Sequence, residues 1–182
     1  QNDKVHGLNP RNIFQVFRSY DPELYVPLTL MTYQMEYTLT GLHPYLYHLD
    51  NLLLHLGSIT LVFFVMKRLK LSDGAALFIA TLFALHPLQA EAVSWAAARK
   101  DLLSGFLVLL SVLLFLRYRD TGSKRSYGWS IAIYVLALLS KVSIILIPFS
   151  ILLLDLIRRD FRFRKGSVEF MPFGIAAVFF GI

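Results

Sequence analysis

The sequence predicts an all-α protein, a polytopic bundle of transmembrane helices. Three observations carry that reading. The 182 residues are 56% hydrophobic and only 16% charged, with 15 Phe, and the mean hydropathy of +0.57 lies outside the range of soluble domains. Several apolar runs reach or approach the roughly 20 residues that cross a bilayer. The cations fall in short clusters between those runs, as positive-inside proteins place them. Because the charge of +6 does not gather on one polar face, nucleic acid is excluded as a partner. With no cysteine, a disulfide framework or a thiolate metal site is excluded too.

Residues 1–41 read as an extracytoplasmic loop with interfacial helices. Asn9-Pro10 and Asp21-Pro22 are turn signals around a short amphipathic stretch of Ile13, Phe14, Val16 and Phe17. After Pro27, residues 28–39 mix Leu, Met and Tyr with Gln34, Glu36 and Thr, too polar to span, and Gly41 ends them. The opening residues carry no signal peptide, and the apolar run from Met171 to Ile182 stops short of a full span, so both ends read as cut.

Residues 42–182 read as the transmembrane region, with spans at 45–66, 75–87, 101–117, 127–140 and 143–157 and the start of another at 170–182. The first, from Tyr45 to Met66, is about 33 Å long at 1.5 Å per residue, and Lys67, Arg68 and Lys70 close it. His48, Asn51, His55 and Ser58 share one of its stripes, which should face protein. The block from Tyr127 to Ile157 is long enough for one strongly tilted helix. One helix would put the basic clusters at 117–125 and 158–165 on opposite sides, whereas two short helices turning at Ser140-Lys141 keep both inside. Lys4, Arg11, Arg18, Arg99, Lys100 and Lys141 then share the outer face.

Between two apolar runs stands His86-Pro-Leu-Gln-Ala-Glu-Ala-Val-Ser-Trp-Ala-Ala-Ala-Arg-Lys-Asp101. Charges at the lip of a membrane hairpin mark substrate or ion sites, so this turn is the default functional region. Arg99, Lys100 and Lys141 are candidates to hold a phosphate, Arg through its fork and Lys as a point charge, or else they pair with Asp101 or Glu91. Glu91 and His86 are candidates to orient or deprotonate an acceptor or to position a divalent ion, or else to cap the turn. Trp95 is an interfacial anchor or a sugar-stacking platform. His48, Asn51 and His55 join as substrate contacts or as interhelical hydrogen bonders, and no metal site is read from their spacing. Gly-rich phosphate loops, H-E-x-x-H and G-x-S-x-G do not occur.

Val26-Pro-Leu-Thr-Leu, Gly41-Leu-His-Pro-Tyr-Leu-Tyr-His-Leu-Asp-Asn-Leu-Leu-Leu-His55, the block from Leu82 through His86-Pro, Glu91-Ala-Val and Arg99-Lys-Asp to Ser104, and Leu138-Leu-Ser-Lys with Leu152-Leu-Leu-Asp155 resemble one family in order and spacing. They resemble the membrane half of the transmembrane, tetratricopeptide-repeat O-mannosyltransferase-like proteins of the GT-C superfamily. The resemblance implies a GT-C-like bundle that transfers a sugar, with inversion, from a polyprenyl-phosphate carrier to a protein or glycan acceptor. The setting it implies is a bacterial inner membrane or the ER membrane, with the active face extracytoplasmic. It also implies a catalytic acid just before Gln1, with Asp3 the nearest candidate inside the chain. No cofactor is specified, a divalent cation being an open option. Gln89 and Val142 depart from the family pattern. Two rival readings are a transporter or flippase of lipid-linked sugar, against which the bare runs 102–116 and 144–154 argue, and a non-catalytic anchor for a repeat scaffold.

Overall fold

The computed structural model describes residues 10–18, 25–147, 150 and 163–181, and their regular elements are all helices, without strands. In chain order they form α1 (Pro10–Arg18), α2 (Pro27–Thr40), α3 (Pro44–Arg68), α4 (Asp73–Leu85), α5 (Pro87–Ser94), a 3-10 turn at Ala96–Ala98, α6 (Arg99–Thr121), α7 (Lys124–Ser140), a second 3-10 turn at Val142–Leu146, and α8 (Phe163–Gly181). Asp3, Lys4, Asp155 and most of the expected span 143–157 lie outside the described residues.

Local chemistry sets the boundaries. Proline opens α2, α3 and α5, where its missing N–H costs nothing. Ser72 and Ser123 cap α4 and α7 by accepting from Ala75 N and Ser126 N. Gly41 ends α2 at φ +67 and Gly122 ends α6 at φ +70, backbone that glycine takes without strain.

By length and composition, α3 and the helix over Ala96–Thr121 can each cross a membrane. Where the sequence placed a span at 75–87 stands α4, and α5 follows it at an angle of 52° within the stretch read as a turn. Pro87 supplies the bend, having no N–H to continue the ladder of α4. The last helix starts earlier than expected, at Phe163 inside the basic run. α6 is the central element, packed most extensively on α7 and α3. Val65, Val112, Phe115, Tyr134, Leu138 and Phe173 form the core where α3, α6, α7 and α8 meet. Small residues allow close approach: Ser111 Oγ donates to Ser130 O at 2.7 Å between α6 and α7, and Gly57 of α3 lies under the Phe106 ring of α6.

The two ends of the bundle differ. At one, Arg68 pairs with Asp120 at 2.9 Å and Lys67 with Asp73 at 2.6 Å. There Tyr118 Oη and Arg119 Nη1 also converge on the Glu169 carboxylate, at 2.7 and 2.6 Å, tying α8 to α6. The other end carries α2, the start of α6 and the close of α7, where the sequence placed the functional turn.

Candidate functional site

α2 lies with a polar face on the bundle end: Thr29, Gln34 and Glu36 are buried while Met35 and Leu39 are exposed. The reason is the set of carbonyls that broken helices leave without intrahelical partners, costly in a membrane setting. Thr29 Oγ1 donates to Ser140 O at the end of α7 (3.2 Å), and Tyr33 Oη donates to Ala96 O in the 3-10 turn (2.7 Å). From α3, Asn51 Nδ2 donates to Trp95 O at the close of α5 (3.1 Å). His55 Nε2 lies 3.4 Å from Ala84 O at the close of α4. A ring that donates there is protonated at Nε2, and the bend at Pro87 has left that carbonyl free of its usual partner: Leu88 N turns to His86 Nδ1 instead, at 3.3 Å.

Arg99 sits at the centre, 1% exposed. Its Nη1 is paired with Glu36 Oε2, its Nε donates to Asn51 Oδ1 (3.3 Å), and its Nη2 donates to Tyr47 O (3.0 Å). The guanidinium carbon lies 4.6 Å from the Tyr33 ring centroid and 5.4 Å from that of Tyr47. Asp50 adds a second, half-exposed carboxylate at 3.8 Å. Each guanidinium nitrogen is thus engaged by protein, and its close carboxylate is Glu36 of α2, not Glu91 or Asp101 of the turn. An incoming phosphate reaches this cation only by displacing those partners.

The other expected residues are distributed around this centre. Lys141 is paired with Asp101, both side chains about one-third exposed, so Arg99 and Lys141 sit on different carboxylates. Lys100 is half-buried and forms no ion pair among the described residues. His86 is exposed and caps α5. Glu91 is exposed and Trp95 is 64% exposed. Of the α3 stripe, Asn51, His55 and Ser58 are buried against protein as expected, whereas His48, one turn nearer the end, is exposed.

Two clefts adjoin the centre. The larger, about 550 Å³, lies between α3, the α4–α5 bend and the first half of α6, with Gln89, Glu91, Trp95 and Asp101 above an apolar interior of Phe83, Leu102, Val108 and Leu109. The smaller, about 280 Å³, is lined by Thr32, Asp50, Arg99 and Phe106. No three His, Asp or Glu side chains among the described residues gather as metal ligands.

Glu36, Tyr33, Tyr47 and Asp50 are the residues of this centre that sequence reasoning did not assign. One signal was available: Glu36 is an acidic residue in an otherwise uncharged helix, and a lone charge in such a helix has a partner wherever it is buried.

Among curated proteins the chain is similar to human protein O-mannosyl-transferase TMTC2, 36% identical over 108 residues covering 58% of this chain and 13% of that protein. It is similar to mouse protein O-mannosyl-transferase TMTC4, 37% identical over 116 residues covering 55% and 16%. Human protein O-mannosyl-transferase TMTC3 is 33% identical over 106 residues covering 58% and 11%. The chain spans only 11% to 16% of the length of these relatives, which carry the name of the family that the motifs resemble. No family model and no solved structure matches it.

Proposed function

We propose that this chain is part of a membrane-embedded glycosyltransferase that moves a mannose-type sugar from a polyprenyl-phosphate carrier to a protein or glycan acceptor. The observation that carries this reading is the likeness to relatives that are each named protein O-mannosyl-transferases. The polar end bearing α2 is the extracytoplasmic face in this reading, and the basic end with Lys67, Arg68, Arg117 and Lys124 is cytoplasmic.

In the transfer, the acceptor hydroxyl oxygen attacks the anomeric carbon as its bond to the carrier phosphate breaks. The bonding pair leaves with the phosphate, and the acceptor proton passes to a base. Asp3, the weak candidate for that base, lies outside the described residues. Negative charge grows on the departing phosphate, and preorganised cations near it lower the barrier. Lys141 and Lys100 are partly exposed cations at this end. Arg99, enclosed by protein, is assigned a different part: it positions, holding α2 against α3 and α6 so that the polar end keeps its shape.

The test is turnover of a polyprenyl-phosphate mannose by the full-length protein in liposomes. Transfer to a protein or glycan acceptor is the expected result. No transfer with any polyprenyl donor, alongside uptake of a solute, would move the protein to the transporter class.

A further inference from the structure

The larger cleft has the form of an amphiphile site, and its charge does not match an anionic head. Along α6 its apolar lining runs from Leu102 to Leu109, about 10 Å of helix at 1.5 Å per residue, on a helix able to cross a membrane. Above that stretch stand Gln89, Glu91 and Trp95. Glu91 makes no ion pair or side-chain hydrogen bond among the described residues. Asp101, also at the mouth, already takes the Lys141 ammonium, and Arg99 lines the other cleft. The unmatched charge at this mouth is therefore a carboxylate, and the same cleft is lined by an indole that is 64% exposed.

We infer that this cleft binds a membrane lipid with a primary ammonium headgroup, phosphatidylethanolamine, its acyl chain against α6 and its ammonium at Glu91 and Trp95. A carboxylate with an aromatic face is the chemistry that recognises an ammonium. Primary is favoured over quaternary because three N–H donors can use the Glu91 carboxylate and the Gln89 amide carbonyl, whereas choline has no donor and calls for an aromatic cage that one indole does not make. A phosphate-only head meets the Glu91 charge, and no cation is among the residues that line this cleft to offset it. The inference requires the membrane setting but not the transfer reaction, so the two readings fail separately.

Lipid retention on the full-length protein tests it. The purified, delipidated protein is offered phosphatidylethanolamine, phosphatidylcholine and phosphatidylglycerol of identical acyl chains, and bound lipid is counted by native mass spectrometry with thermal melting in parallel. Phosphatidylethanolamine should be retained at least about tenfold better than the other two, as one charge-assisted hydrogen-bonded contact implies. Glu91→Gln should abolish that preference without lowering the melting temperature of the lipid-free protein, since Glu91 is exposed. Gly105 lines the cleft and a Cβ there meets nothing within 4 Å, so Gly105→Leu should fill the interior and release all three lipids. Equal retention of the three headgroups, preference for phosphatidylglycerol, an unchanged preference in Glu91→Gln, or undiminished binding by Gly105→Leu would each overturn the proposal.

Discussion

Arg99 and Glu36 form a buried ion pair across 63 positions of sequence, the guanidinium 1% and the carboxylate 7% exposed. The pair joins the first turn of α6 to the otherwise uncharged α2, and Asn51 and Tyr47 of α3 complete the enclosure. Its consequences are chiefly architectural. Losing one partner leaves the other charge buried without its close counter-charge.

Arg99→Ala is expected to destabilise the full-length protein by about 3–5 kcal/mol, the cost of breaking a buried pair from one side. Glu36→Leu alone should be similarly damaging, and Arg99→Met with Glu36→Leu should recover much of the loss. Thermal melting of the two single variants and the double variant in detergent measures the coupling. Additive losses in the double variant would show that the two residues do not act as a pair.

The Lys141–Asp101 pair behaves differently because both side chains are partly exposed. Lys141→Ala should change stability by no more than about 1 kcal/mol. Transfer from a polyprenyl-phosphate donor should nonetheless fall about tenfold or more, roughly 1.4 kcal/mol of transition-state stabilisation. Normal turnover by a folded Lys141→Ala protein would remove this cation from the phosphate site.

At Gly57, α3 approaches α6 closely: a Cβ there would lie 2.8 Å from the Phe106 ring. Gly57→Ala should therefore cost about 1–3 kcal/mol by overpacking, despite alanine's better helix propensity. Phe106→Ala should restore part of the loss when combined with it. A Gly57→Ala protein that melts at or above the wild-type temperature would contradict this contact.

Topology is open to single-cysteine labelling, because the chain has no cysteine of its own. Cysteines replacing Lys70, Lys124 and Lys165 should be labelled from the cytoplasm, and those replacing Lys4, Lys100 and Lys141 from the other side. Labelling of position 141 from the cytoplasm alone would reverse the placement of the α7 terminus.

What the sequence determined by itself is what short-range physics controls. Proline and glycine punctuation marked the starts of α2 and α3 and the end of α2, apolar runs marked the two helices long and apolar enough to cross a membrane, and the motif order pointed to the family that the curated relatives bear out. Helical spacing also foretold that Asn51, His55 and Ser58 face protein together. The tertiary structure alone decided which helix each polar residue meets. Periodicity assigns a residue to a face but says nothing about the neighbour across it, so the stretch 28–39 read as too polar to span, with no partner assigned to Glu36. For the same reason Arg99 read as a cation at a membrane lip, holding a phosphate or pairing with Asp101 or Glu91. Burial and a carboxylate 63 residues away made it a fastening of the fold, because a charge withdrawn from water must find its counter-charge wherever the chain brings one.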